Sequence, residues 1–240
     1  MPYKGYRKFK SNNYSIFLYK GIFPSYITNY LYYPKKLFDY QIMSFKNSKR
    51  TKASCIQLDR QLYFFKSYNN RGIIHTAKSI VRISRPFKVL KTSIKLKNLD
   101  INTPTVLAAI EKRFLNMVLE SYILTEFIDG HKPKIVLNKT NIDQYILNMS
   151  NFIAKMHNKN IFHGDLKANN LLIDKTNSSK IWLLDLDGVK IKNPISLKER
   201  IKDIARFIVS IDHVISEKSL LLFIDNYIKK ADVPIENEFF

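Results

Sequence analysis

HGDLKANN at residues 163–170 and LLDLDG at residues 183–188 are the two most informative segments of this chain. Asn170 stands five residues after Asp165, and Asp185 comes directly after an apolar run, where a strand would end. Carboxylate and amide oxygens are the ligands that Mg²⁺ prefers, and a carboxylate can accept the proton of a reacting hydroxyl. The spacing therefore predicts the transfer of a phosphoryl group from a Mg²⁺-bound nucleotide to a hydroxyl acceptor.

This chemistry suggests a role for each polar residue of the two segments. Asp165 is predicted to orient the acceptor hydroxyl and to take its proton. Lys167 is predicted to offset the charge that builds up on the moving phosphoryl group, although it could also be a solvated loop lysine. Asn170 and Asp185 are predicted to bind Mg²⁺. Asp187 is either a further metal ligand or a plain turn residue, and the sequence leaves both readings open.

A lysine that holds the nucleotide phosphates is expected in the first half of the chain. Lys66 lies in a predicted strand between apolar neighbours, where a lysine is costly unless it reaches a partner. It is the predicted phosphate ligand, and the alternative is an edge-strand lysine that faces water. Three short strands are predicted here, at residues 41–45, 54–58 and 62–68, with a basic turn at residues 46–52.

The rest of the chain reads as a helix, two further strands and then a mainly helical half. Ser84 is predicted to cap the first helix, and strands are predicted at residues 105–110 and 121–128. A helical period begins at Asn141, and two short apolar segments after it form a small hairpin. Ser196 and Glu199 form a possible capping box, and the predicted final helix covers residues 217–230.

The charge of the chain is concentrated at one end. The net charge is +20, yet residues 1–99 hold 21 Lys or Arg against only two acids, Asp39 and Asp59. Such asymmetry favours an anionic partner, which could be nucleic acid, an anionic membrane or a phosphorylated substrate. A low-GC genome that favours lysine is the alternative explanation, but it does not explain why acids vanish from one half only.

Composition excludes several classes of protein. A hydrophobic content of 45% and an aromatic content of 13% exclude a disordered chain. No apolar run approaches the roughly 18–20 residues of a membrane span. The single cysteine, Cys55, cannot form an internal disulfide, which fits a reducing cytosol.

Together these residues resemble the bacterial lipopolysaccharide kinase family, which phosphorylates Kdo or heptose in the inner core and is part of the eukaryotic-protein-kinase-like superfamily. The HGDLxxxN loop and LDLDG carry the resemblance. LDINTPTVLAAIE at residues 99–111 and RIKDIARF at residues 200–207 also resemble segments of that family. The resemblance covers about residues 41–215. The HGD loop alone is less specific, because aminoglycoside and choline phosphotransferases and small atypical protein kinases also use it.

The resemblance implies an α+β, two-lobed protein-kinase-like fold with a small β-rich N-lobe and a mainly helical C-lobe. The expected division is an N-terminal extension at residues 1–40, an N-lobe at residues 41–128 and a C-lobe at residues 129–240. TEFIDG at residues 125–130 resembles the hinge between kinase lobes, where backbone groups of Glu126 and Ile128 would meet adenine.

The resemblance also implies cofactors, partners and a location. ATP and Mg²⁺ are the expected cofactors, and an anionic glycolipid, the lipopolysaccharide core, is the expected acceptor. An anionic membrane surface would bind residues 1–99, with nucleic acid as an alternative partner. The expected location is the cytoplasm, peripheral to the inner face of the inner membrane.

Two departures from the family pattern keep other functions open. No glycine lies between Gly21 and Gly72, so there is no glycine-rich loop. No acid occurs from residue 60 to 99, so the first helix cannot offer Lys66 a carboxylate. Either another acid serves, such as Glu111 or Glu120, or Lys66 relies on phosphate and Asp185. These departures favour a non-catalytic pseudokinase that binds a membrane or nucleic acid, whereas the intact HGD loop opposes it. The short segment after residue 188 favours a small-molecule or glycan acceptor over a protein.

Overall fold

The structure, a computed structural model, describes residues 3–11, 13–21, 27–68, 83–137 and 141–232. The chain divides into two compact units. The first consists of Met1–Lys95 with Pro104–Phe127, and the second of Leu96–Thr103 with Ile128–Phe240. Within the described residues, no helix is both long enough and apolar enough to cross a bilayer.

Among the described residues, the first unit is built on one antiparallel sheet of seven strands. Its strands are β1 (Tyr6–Ser11), β2 (Tyr14–Tyr19), β3 (Gln41–Ser48), β4 (Thr51–Leu58), β5 (Gln61–Tyr68), β6 (Val106–Phe114) and β7 (Met117–Glu126), in the order β1-β2-β6-β7-β5-β4-β3. All five strands predicted for this region are present. The predicted basic turn is much shorter than expected, because pairing between β3 and β4 extends to Ser48 and Thr51 and leaves only Lys49 and Arg50 to turn.

The segment predicted as an N-terminal extension contributes two strands to this sheet. β1 and β2 form a hairpin, and β2 pairs with β6 from Tyr14 to Leu18. Ile16 and Leu18 are fully buried in the main apolar core. The hairpin is therefore an integral part of the sheet, which the sequence pattern did not predict.

One face of the sheet is covered by the chain between β2 and β3. This segment contains the short helix α1 (Ile27–Tyr30) and a 3₁₀ turn at Pro34–Tyr40. It places Ile27, Leu31 and Leu37 against the sheet, all with essentially no exposed surface, and the Phe38 ring lies 4.8 Å from that of Phe65. Burial of this apolar face is the main source of stability in the unit.

The opposite face carries Lys66 and packs against a helix, α2 (Arg85–Asn98). Lys66 and Phe17 occupy one row of the sheet, through Ile123 and Ala109, so their side chains share a face. The Phe87 ring of α2 contacts Phe17 edge to face at 4.8 Å. The prediction that Ser84 caps this helix is wrong, because its hydroxyl is buried and makes no hydrogen bond among the described residues.

The second unit is mainly helical. Its helices are α3 (Pro133–Val136), α4 (Ile142–Asn158), α5 (Leu197–Val209) and α6 (Glu217–Lys230), and its short strands are β8 (Gly130–His131), β9 (Ile161–Phe162), β10 (Leu171–Asp174), β11 (Ile181–Leu183) and β12 (Lys190–Ile191). The predicted helix from Asn141, the small hairpin and the final helix are confirmed. The capping box is confirmed as well, since the Ser196 hydroxyl accepts from Glu199 N–H while the Glu199 carboxylate accepts from Ser196 N–H.

Candidate active site

The two motif segments lie side by side because hydrogen bonds join them. Leu184 N–H donates to the Asn170 carbonyl over 2.8 Å, and His163 Nε2 lies 2.9 Å from the Leu184 carbonyl. Gly164 has φ +81°, and a Cβ there would sit 3.3 Å from the Gly188 carbonyl oxygen. Glycine is required at this position both for the left-handed backbone and for the close approach of the two loops.

Asp165 presents a carboxylate that is open to a substrate. Its side chain is 52% exposed, and Lys167 Nζ lies 3.0 Å from Oδ2. The Asp165 backbone carbonyl accepts a hydrogen bond from Asn170 Nδ2 over 2.8 Å, which holds the loop at both of its motif residues. A carboxylate with free oxygen lone pairs, next to a cation, can accept a proton while the cation offsets negative charge nearby.

Asn170 and Asp185 have the chemistry of a magnesium site. The Asn170 amide donates to Asp165 through Nδ2, so Oδ1 of this buried side chain is left as an acceptor. Asp185 is exposed and has φ 52°, a left-handed conformation that is uncommon for a residue other than glycine. Such conformations cluster at functional sites.

The described residues contain no cluster of three His, Cys, Asp or Glu side chains that could hold a metal. Mg²⁺ typically keeps several waters and takes only one or two protein carboxylates together with substrate phosphates. Asn170 and Asp185 therefore fit Mg²⁺ bound together with a nucleotide better than a resident metal ion.

Asp203 on α5 supports the loop from behind, a role that the sequence motifs did not predict. Its carboxylate is fully buried and accepts the N–H of His163 over 2.7 Å and that of Gly164 over 2.9 Å. Two charge-assisted bonds to successive amides fix the backbone immediately before Asp165. Arg200, Asp203 and Phe207 are the buried residues of α5, and the sequence does not mark them out, because apolar residues such as Leu197 and Ile201 of the same helix are exposed.

A buried histidine completes this support. His157 of α4 has no exposed surface, and its Nδ1 lies 2.7 Å from the Tyr227 hydroxyl. Its Nε2 is 3.6 Å from Asp203 Oδ2. Burial lowers the pKa of His157 below its ordinary value, against the opposing effect of Asp203. The ring is therefore neutral near pH 7.

The first unit places Lys66 half-buried on β5, with Nζ 4.8 Å from the centre of the Tyr68 ring. The two acids considered as partners of Lys66, Glu111 and Glu120, accept hydrogen bonds from other side chains. Glu111 accepts from Arg113 Nε over 2.9 Å. Glu120 accepts from the hydroxyls of Tyr14 and Tyr122, each over 2.7 Å, and from Lys35 over 3.2 Å.

Glu126 and Ile128 flank the boundary between the two units. The Glu126 carboxylate accepts both N–H and Oγ1 of Thr105, over 2.7 and 2.9 Å, and its own N–H donates to the Thr105 carbonyl. These bonds fix the backbone at the end of β7. Ile128 begins the stretch assigned to the second unit and is half-buried. Of the predicted site residues, Asp165, Lys167, Asn170 and Asp185 belong to the second unit, and Lys66 and Glu126 belong to the first.

Comparison with known proteins identifies the architecture. A model of the lipopolysaccharide kinase (Kdo/WaaP) family matches residues 40–227. A solved structure titled "WaaP in complex with acyl carrier protein" is 16% identical with a TM-score of 0.57, and the match covers 81% of each chain. An aminoglycoside-3'-phosphotransferase of type VIII is 10% identical with a TM-score of 0.58, and the match covers 82% of this chain and 87% of that one. No curated protein sequence matches. The predicted kinase-like α+β fold is confirmed.

Proposed function

The chain belongs to the lipopolysaccharide kinase (Kdo/WaaP) family and is a phosphotransferase, and from this premise we propose that it transfers the γ-phosphoryl group of ATP to a hydroxyl of Kdo or heptose in the lipopolysaccharide inner core. The observation that carries this proposal is the loop from Asp165 to Asn170. Its exposed carboxylate, adjacent lysine and buried amide oxygen have the chemistry that the reaction needs.

Asp165 acts on the acceptor in this proposal. The sugar hydroxyl donates its proton to the Asp165 carboxylate while its oxygen forms a bond to the γ-phosphorus. The bond between that phosphorus and the bridging oxygen to the β-phosphate breaks, and ADP leaves. Lys167, 3.0 Å from Asp165, offsets the negative charge on the phosphoryl group in flight.

The other site residues hold the nucleotide. Asn170 Oδ1 and the Asp185 carboxylate would bind Mg²⁺, which, when bound, neutralises phosphate charge and helps to orient the phosphates. Lys66 would contact the phosphates from β5, and the backbone of Glu126 and Ile128 would bind adenine. The bonds between Thr105 and Glu126 support that role, because they hold the end of β7 through the Glu126 carboxylate and N–H. The Glu126 carbonyl accepts one bond, from the Thr125 hydroxyl over 3.0 Å, and so keeps a second lone pair for a ligand.

The acceptor would be an anionic glycolipid at a membrane face. The 21 cationic residues among residues 1–99 exceed what one nucleotide needs, which supports a peripheral position at the cytoplasmic face of the inner membrane. The same charge disfavours cationic drugs as acceptors, although an aminoglycoside phosphotransferase shares the fold.

Mass spectrometry of core oligosaccharide tests the proposal directly. Cells that lack the gene should make a core with one phosphate fewer, and the wild-type gene should restore that phosphate while an Asp165→Asn gene should not. The purified protein should consume ATP with Mg²⁺ when dephosphorylated core is added. An unchanged core together with turnover on an aminoglycoside would replace this proposal with its small-molecule alternative.

A further inference from the structure

The hairpin between β6 and β7 ends in an apolar tip that the fold does not use. Phe114 is 60% exposed and Leu115 is 74% exposed. They stand next to each other at the tip of the sheet, where neither packs into the core. Leu119 on β7 adds a further exposed apolar side chain at 38%. Adjacent exposed apolar side chains of this size mark an interaction site more often than isolated ones do.

The backbone conformation of the tip makes a leucine at position 115 unusual. Leu115 and Asn116 have φ values of 46° and 62°, as a two-residue hairpin turn of type I′ requires. Asparagine or glycine adopts this conformation readily, whereas leucine is strained in it. The β4–β5 turn has the same pair of positive φ values and uses Asp59 and Arg60. The Leu115 conformation is therefore strained, and its side chain, at 74% exposed, gains little burial in return.

The turn is also held rigid. Arg113 donates through Nη1 to the Asn116 carbonyl over 2.6 Å and through Nε to Glu111 over 2.9 Å. This clamp ties the start of the turn to its end. A rigid projection that presents two large apolar side chains can enter an apolar medium without a further cost in ordering the backbone.

Cationic and aromatic groups surround the base of the tip. Lys112 Nζ lies 5.4 Å from the centre of the Tyr14 ring, and Lys35 is exposed beside Glu120. Lys10 lies in the same row of the sheet as Glu111. The whole first unit holds 22 Lys or Arg against five Asp or Glu. Apolar side chains at the tip, with lysines behind them, match the acyl chains and anionic headgroups of a bilayer surface in that order.

We propose that the β6–β7 tip is a membrane-inserting element, with Phe114 and Leu115 entering the acyl region of an anionic bilayer and the cations around Lys112 contacting headgroups. The inference deepens the membrane position proposed above, but it does not depend on which sugar is phosphorylated. In this proposal the strained Leu115 side chain is buried only when the protein is bound to a membrane.

A tryptophan at the tip reports insertion. In Phe114→Trp, emission should shift to the blue on addition of phosphatidylglycerol-containing vesicles and should be quenched by brominated acyl chains, with Trp182 as a constant background. Ile228→Trp is the matched control, because Ile228 is 64% exposed on α6 and should show neither effect. Quenching of both variants, or of neither, would overturn the proposal, as would a blue shift that depends on protein concentration without lipid, which would show that a second copy covers the tip.

Leu115→Gly separates insertion from folding. Glycine relieves the left-handed strain, so the variant should be at least as heat-stable as the wild type. Its affinity for the same vesicles should nevertheless fall by about tenfold, since the apolar contact with lipid is lost. ATP turnover on a water-soluble core fragment should be the same in Leu115→Gly and in the wild type. A wild-type protein without this turnover would contradict the proposed kinase activity but not the proposed insertion of the tip. Unchanged vesicle affinity in Leu115→Gly would contradict the proposal.

Discussion

Asp165 and Asp203 lie close in the fold and have opposite surroundings. The Asp165 carboxylate is half-exposed beside one lysine, whereas the Asp203 carboxylate is buried and has both oxygens occupied by backbone amides. Only a carboxylate with open lone pairs and access to substrate can take a proton from it. The environment of each side chain therefore separates the proposed base from the residue that positions the loop.

Replacing Asp165 with Asn should remove nearly all turnover. The amide keeps the shape of the side chain but cannot act as a base, and loss of a general base typically costs about 10²- to 10⁴-fold in rate. ATP affinity, measured by titration, should stay close to that of the wild type. Asp212→Asn, an exposed aspartate in the same unit, serves as the control. Activity within a factor of a few of the wild type would rule out Asp165 as the base.

The magnesium assignment predicts a ranking of three variants. Asn170→Ala and Asp185→Asn should each raise the Mg²⁺ concentration needed for half-maximal turnover, because each removes an oxygen ligand or its charge. Asp187→Asn should have a smaller effect. The measurement is a Mg²⁺ titration of ATP turnover. An essential Asp187 with a dispensable Asp185 would move the metal site two residues along the chain.

His157 should make the stability of the protein sensitive to acid. Burial lowers its pKa in the folded state, whereas in the unfolded chain it titrates near its ordinary value of 6.5. The unfolded state then binds more protons below about pH 6.5, so the free energy of unfolding falls as the pH decreases, by at most about 1.4 kcal/mol per pH unit. His157→Gln should have a smaller loss of stability between pH 7.5 and 5.5 in urea unfolding. Equal losses in the two proteins would show that other groups cause the acid sensitivity.

The helices and strands that could be predicted are those whose sequence pattern lies within a few neighbouring residues. The five strands, the amphipathic helix from Asn141 and the capping box at Ser196 all follow from spacing along a short window. The place of the β1–β2 hairpin in the sheet was not predicted, because β2 joins the sheet by pairing with β6, about 95 residues away. Asp203 was missed for a similar reason, since its role arises only when α5 packs beneath the loop at His163.

The capping box gives an element-scale prediction. Ser196→Ala removes the hydroxyl that accepts from Glu199 N–H at the start of α5, the helix that carries Asp203. The variant should lose about 1 kcal/mol of stability, within a range of about 0.5–2 kcal/mol. Urea unfolding measures the change, and Ser179→Ala, in an exposed turn, is the control. No difference between the two variants would show that α5 does not depend on its cap.

At the scale of the whole molecule, the structure changes how the charge must be tested. Deleting residues 1–36 would remove β1 and β2 from the sheet together with Ile16 and Leu18 from the core. Such a truncation would unfold the first unit, so a loss of binding would mean little. Charge reversal on an exposed stripe leaves the core intact, and α2 provides one, because Lys88, Lys91 and Lys95 are exposed along its outer side.

Reversing these three lysines to glutamate should weaken binding to anionic vesicles. Exposed cations near such a surface contribute roughly 1 kcal/mol each, and the attraction fades as the screening length shrinks from about 10 Å at 0.1 M salt to about 3 Å at 1 M. Flotation at rising salt should show wild-type binding that is strong at low salt and lost at high salt, with little binding to neutral vesicles. Salt-independent binding would show that this charge serves another purpose.

The composition of α2 also bears on regulation. Arg85–Asn98 contains no acidic residue, so this helix cannot form an ion pair with Lys66 or with any other lysine of the sheet. Protein kinases switch on and off by making and breaking such a pair as the corresponding helix moves. Helix α2 of this chain cannot act as such a switch. We expect the activity of this chain to follow the amounts of enzyme and acceptor, because α2 cannot switch it through this ion pair.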